Sequence, residues 1–317
     1  MSGFQNILVY LDSRSESRAG LNLALALARS DGARVRVVDV LRPLPFLVTG
    51  GGIRDGDLEL AGPELARTVL QERERELGEI TSPLAAQGVR VEHHVAWGSP
   101  FLELVRQVIA HRHDLVIKTA EGRAPLRPSL FGSTAMHLVR KAPCPVWIAK
   151  VGNPVPPRNI VAAVDPLLVA KDPLSEKIVG TALELAERSG SRLHVVGAWS
   201  IPGGSVLRTT LGRDGLSRYG ALLQRQAKAS LEEAVTRFGT RIGGAEIHLL
   251  EGPAHEVVPD FVATRGADLL VLGTVARGGI PGLLIGSAAE QIMRAIECPV
   301  LAMKPDGFVS PVTASDA

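Results

Sequence analysis

Apolar positions along this chain follow two alternating patterns. Short β-branched runs, apolar on both faces, are separated by longer stretches in which apolar residues return at helical spacing. The first pattern predicts parallel strands covered by helices, and the second predicts amphipathic helices. Strands are expected at 7–11, 34–40, 89–96, 115–118 and 146–149, then at 160–164, 192–198, 245–250, 269–273 and 300–303. Leu21, Leu25 and Ala28 precede Ser30-Asp31-Gly32, and Leu183 and Ala186 precede Ser189-Gly190, each a helix followed by its stop. Ser99-Pro100 and Gly252-Pro253 place proline in a first helical turn, where its missing donor is harmless. Strand and helix in alternation predict an open α/β sheet with helices on both faces.

The series is written twice. Asn6 to Asp12 returns as Asn159 to Asp165, 153 residues on. Asp114-Leu115, Gly132-Ser133 and Cys144-Pro145-Val146 return as Asp268-Leu269, Gly286-Ser287 and Cys298-Pro299-Val300, each 154 residues on. A period of that length is a whole domain and too long for a solenoid repeat. Pro154-Val155-Pro156-Pro157 is the natural linker. The expected division is 1–152 and 153–307, with 308–317 as a disordered tail. Inserts at 42–63 and 200–219 break the regularity, each after a second strand, on the side where α/β sites open.

Composition narrows the function. A net charge of +2 gives no basic field for nucleic acid. No apolar run approaches a membrane span, and the amino-terminal residues carry no signal-peptide pattern, so no membrane and a cytoplasmic location are expected. The two cysteines read as reduced core residues. The charge run 71–76 reads as a solvated helix face, and His111 and His113 as surface residues. His94 and His248 are equivalent, each with a glutamate two residues before it on the same strand face (Glu92, Glu246). Two imidazoles on separate edge strands are too few for a closed zinc site, so no metal is expected.

There is no Walker loop, no Cys-x-x-Cys, no His-Glu-x-x-His and no Gly-x-Ser-x-Gly. With no placed general base, an enzyme is not expected. The second repeat does carry a glycine-rich loop, Gly273 to Ser287, leading into a helix. Amides at a helix start attract phosphate, Ser287 could donate a hydroxyl, and Arg277 could add charge. The same glycines could simply turn a surface loop, with Ser287 capping the helix.

The loop is similar to the nucleotide signature of the universal stress protein family, Gly-x-x-Gly, nine residues, then Gly-Ser or Gly-Thr. Gly273, Gly286 and Ser287 match it, and Ala276 stands where the second glycine belongs. The first strands ending in Asp12 and Asp165, and the closing Cys-Pro-Val strands, also resemble that family. With Val116 to Ala120 and Leu272 to Val275 they resemble its tandem, E-type branch. The resemblance implies two five-stranded parallel sheets of the adenine nucleotide alpha hydrolase-like kind, joined as an internal pseudo-dimer by the closing strands. The protein would then be a monomer, or a dimer of such chains.

The resemblance further implies ATP as ligand, held in the second repeat by Asp165, Gly273, Gly286 and Ser287, to which Arg277 would add its charge. In the first repeat Lys118 is set against Gly273, and the stretch 119–131 is one residue longer, so that copy should not cradle a triphosphate. The implied function is a stress-response regulator that binds an adenine nucleotide with little turnover. The alternative is an interaction protein that works through its surfaces or an apolar small molecule such as a lipid, suggested by Leu44, Phe46, Leu47 and Val48 in the first insert.

Overall fold

All ten expected strands form, and the inner strands of each unit have their apolar side chains covered from both sides. Ile7, Leu8, Val9, Leu115, Val116 and Ile117 are fully buried, as are Ile160, Val161, Leu269, Leu270 and Val271. Each such side chain contributes about 1.5–3 kcal/mol relative to exposure. The structure is a computed structural model that describes residues 3–12, 18–42, 55–120, 131–170, 172–201, 204–274 and 285–313. The chain divides into two compact units: Met1–Glu121 with Gly132–Val151 and Ser310–Ala317, and Gly152–Val309 with Gly122–Phe131.

The first unit runs β1 (Asn6–Tyr10), α1 (Arg18–Asp31), β2 (Arg34–Leu41), α2 (Asp55–Ala86), β3 (Arg90–Trp97), α3 (Pro100–His111), β4 (Leu115–Thr119), α4 (Ser133–Lys141) and β5 (Val146–Ala149). Its strands lie in the order β3-β2-β1-β4-β5, all parallel. The second unit runs β6 (Asn159–Val164), α5 (Pro173–Ser189), β7 (Arg192–Trp199), α6 (Gly204–Thr236), β8 (Glu246–Glu251), α7 (Ala254–Thr264), β9 (Leu269–Gly273), α8 (Ser287–Ala295) and β10 (Val300–Met303). Its order is β8-β7-β6-β9-β10, again all parallel. Parallel crossovers are right-handed. The steps outward from β1 therefore place α1 and α2 on one face, and the steps back place α3 and α4 on the other, where those two pack together. The direction reverses between β1 and β4, and between β6 and β9. Ligands of open α/β sheets bind beyond the strand ends at such a point.

Several repeated blocks turn out to be fasteners. Asp114 accepts from the Gln5 and Asn6 amides at 2.7 and 3.0 Å, and Asp268 accepts from Arg158 and Asn159 at 2.9 and 3.0 Å. Gly98 and Gly252 have φ of 142° and 137°, a region open to glycine, and their amides bond Leu41 O and Trp199 O. Cys144 and Cys298 are buried and belong to no disulfide, as expected.

Four expectations change. Both inserts are partly helical, with α2 beginning at Asp55 and α6 at Gly204; Gly212 interrupts α6 at φ 68°. The charge run is not wholly solvated: Arg73 turns inward, because buried Asp39 needs a counter-charge. His113 is buried, since β4 starts inside the sheet beside Asn6. Val312, in the stretch expected to fray, is buried. Leu44, Phe46, Leu47 and Val48 lie outside the described residues.

Candidate functional site

In the second unit, β6 ends at the chain reversal, and Asp165 follows it. Its carboxylate accepts from the Leu167 amide at 3.0 Å, an Asx turn that lets the chain leave the sheet. Next to β6, β9 ends on Gly273. A Cβ there would come within 2.9 Å of the Leu174 methyl and 3.2 Å of the Ile178 methyl, so this glycine lets the side chains of α5 pack closely against the strand end. The buried Thr274 follows, and its carbonyl accepts from the Gly286 amide at 3.0 Å, which ties the two ends of the glycine loop together. Arg277 and Ala276, within 275–284, lie outside the described residues.

Gly286 is the N-cap of α8, with φ −61° and ψ 137°, and makes no side-chain cap. Ser287 is therefore the first helical residue and not the cap, and it is exposed. The first amides of α8 thus start at the topological switch point. They follow the end of β9, and the positive end of the helix dipole lies at this start. Asp165, Gly273, Gly286 and Ser287 belong to one end of one sheet, as the spacing predicts.

The first unit has the same frame with different contents. Strand register pairs Tyr10 with Lys118 and Ala163 with Leu272, which sets Thr119, and not Lys118, at the place of Gly273. The two loops then have equal spacing to Gly132 and Gly286. Thr119 Oγ1 accepts from the Gly20 amide at 2.8 Å, so its side chain faces α1. Lys118 is buried and donates to Thr119 O at 3.0 Å. Beside them Arg73 donates to Asp39 at 2.6 Å, to Glu76 at 2.6 Å and to the Leu11 carbonyl at 3.1 Å. Burial holds the Asp39 carboxyl above the usual carboxylate range, against the pull of Arg73. A guanidinium on Leu11 O sits at the end of β1, one residue before Asp12.

The family model "Universal stress protein family" matches residues 3–150 and again 157–304. The chain belongs to the universal stress protein family. Universal stress protein E of Escherichia coli K12 is 29% identical over 326 residues, covering 100% of this chain and 99% of that one. The corresponding homolog of Haemophilus influenzae is 24% identical, covering 95% and 98%. Among solved structures, a functionally unknown protein of Pseudomonas aeruginosa PAO1 superposes with TM-score 0.71 at 23% identity, over 97% of this chain and 95% of that one. A universal stress protein of Archaeoglobus fulgidus superposes with TM-score 0.64 at 16% identity, over 94% and 98%. These matches establish a tandem universal stress protein and its fold, and family membership carries a stress-response role. Among the described residues, no helix is long and apolar enough to cross a membrane.

Asp39 and Arg73 were not singled out by sequence. The signal was there: Asp39 interrupts an apolar strand where the second unit has Gly197. Its partner lies 34 residues away on a helix, a distance that no motif spans.

Proposed function

We propose that this universal stress protein binds one adenine nucleotide, ATP, in its second unit and holds it as a regulatory ligand without significant turnover. The nucleoside lies toward Asp165, and the phosphates lie at the start of α8, on the amides from Ser287 onward, with Arg277 as a counter-charge. The supporting observation is the tied loop: the Gly286 amide donates to the carbonyl of Thr274, the residue after Gly273, and brings a helix start to the switch point. The first unit offers Thr119 bonded to α1 and the guanidinium of Arg73 on Leu11 O.

Calorimetry with ATP tests this on the full chain. The backbone of Gly286 suits any residue, as does that of Gly132 at φ −66°, so both tolerate valine without strain. One ATP per chain is expected, lost in Gly286→Val and kept in Gly132→Val. Equal loss from both, or two ATP per chain, would refute the asymmetry. An apolar molecule released on denaturation, with no ATP bound, would favour a lipid-type ligand instead.

A further inference from the structure

Away from the loop, the second unit gathers three donor atoms on one face of its sheet. His194 lies on β7 and Glu246 on β8, paired directly across the parallel ladder, and His248 is two residues further along β8. Side chains two apart share a face, so the strand register alone brings the three together. His194 Nδ1 is 3.2 Å from His248 Nε2 and 3.6 Å from Glu246 Oε2, and His248 Nε2 is 3.5 Å from the same oxygen. Tetrahedral zinc, with bonds of about 2.0–2.1 Å, spaces its ligand atoms about 3.3 Å apart. A triangle with these edges has a centre about 2.0 Å from each corner, so an ion fits just off its plane without moving the backbone.

We propose that His194 Nδ1, His248 Nε2 and Glu246 Oε2 bind a zinc ion, with a water molecule in the fourth position. Two imidazoles and one carboxylate are a donor set that suits zinc among divalent cations. His194 is buried, so its ring is held in place, while Glu246 is half exposed and keeps the site open from the edge strand of this unit. Phe261 on α7 backs the pair, its ring centroid 4.7 Å from that of His248 and 5.9 Å from that of His194. Burial lowers both imidazole pKa values, which keeps the rings neutral, the form that ligates. Before metal enters, one ring donates its N–H to the other. On binding, that proton moves to the far nitrogen of its own ring, and both facing lone pairs are free for the ion. Arg265 lies 3.7 Å from Glu246 Oε2, too far for a hydrogen bond, and is half exposed, so it can turn outward.

Zinc and cobalt(II) titrations of the chelator-treated full chain test the site. One zinc per chain is expected, and cobalt should give the intense visible bands of a four-coordinate N/O site. His248→Gln should weaken binding by about a hundredfold or more, since even supporting residues around a metal are worth 10–100-fold. His194→Arg should abolish binding and the cobalt bands, with circular dichroism confirming that both variants fold. If His194→Arg does not fold, His248→Gln together with Glu246→Gln decides the matter from half-buried and exposed positions. Absence of stoichiometric zinc binding in the native chain, or binding unchanged in the folded variants, would overturn the proposal.

Discussion

Arg36, Glu92 and His94 in the first unit occupy the backbone positions of His194, Glu246 and His248 in the second. Arg36 pairs with Glu92 across β2 and β3 as His194 pairs with Glu246 across β7 and β8. One residue type separates them. In the first unit Arg36 Nε lies 3.5 Å from Glu92 and, after burial, is the main influence lowering the His94 pKa. A fixed cation fills the place where the second unit could take a metal cation. The second strands differ in the same way: the first unit has Asp39 with Arg73, and the second has Gly197, where the Pro166 ring lies 2.7 Å from where a side chain would begin. The duplicated frame stays, and single side chains at equivalent strand positions change what each end of each sheet can hold.

The largest effect should come from breaking the first unit's buried pair. Arg73→Ala leaves Asp39 buried beside no counter-charge and should cost about 3–5 kcal/mol in urea unfolding. Removing both, Asp39→Ala with Arg73→Ala, should recover most of that loss. A single-variant cost near zero would show that Asp39 does not depend on Arg73 for its counter-charge.

A second difference is His113, which is Ala267 in the other unit. Burial depresses the His113 pKa from 6.5 to about 4, with Arg36, His111 and Arg34 adding to the effect and the Asn6 carbonyl opposing it. The folded state resists a proton that the unfolded chain accepts. Stability should therefore be full above pH 6.5 and fall as the pH drops toward 4, by about 3 kcal/mol at most. His113→Ala, copying the second unit, should flatten that part of the pH profile. An unchanged slope would assign the acid sensitivity to other groups.

The smallest energetic change is Arg36→His, which recreates the second unit's triad in the first. Zinc stoichiometry should rise from one to two per chain. If it stays at one, the support of Phe261 matters as much as the three donors, since the equivalent residue in the first unit is Gln107.

Much of this was legible in the chain. Strand positions and the duplication follow from periodicity and spacing, because those signals are local; that Gly286, and not Ser287, caps α8 came from the structure. The sequence also showed Glu246 and His248 on one face, since that spacing lies within one strand. It gave no sign of His194, which lies 54 residues from His248 and meets it through the ladder. Lys118 was set against Gly273 by reading one loop as longer; hydrogen-bond register between strands put Thr119 there instead.

The sequence by itself determined the elements, their order and the two-fold repetition, because hydrophobic period and turn residues act over a few neighbours. Only the tertiary structure decided which polar side chains meet. Arg73 reaches Asp39 and Leu11 O, and His194 meets Glu246 and His248, because parallel pairing and helix packing bring together residues far apart in sequence. No local pattern records those distances. They exist once the sheet has closed over its core.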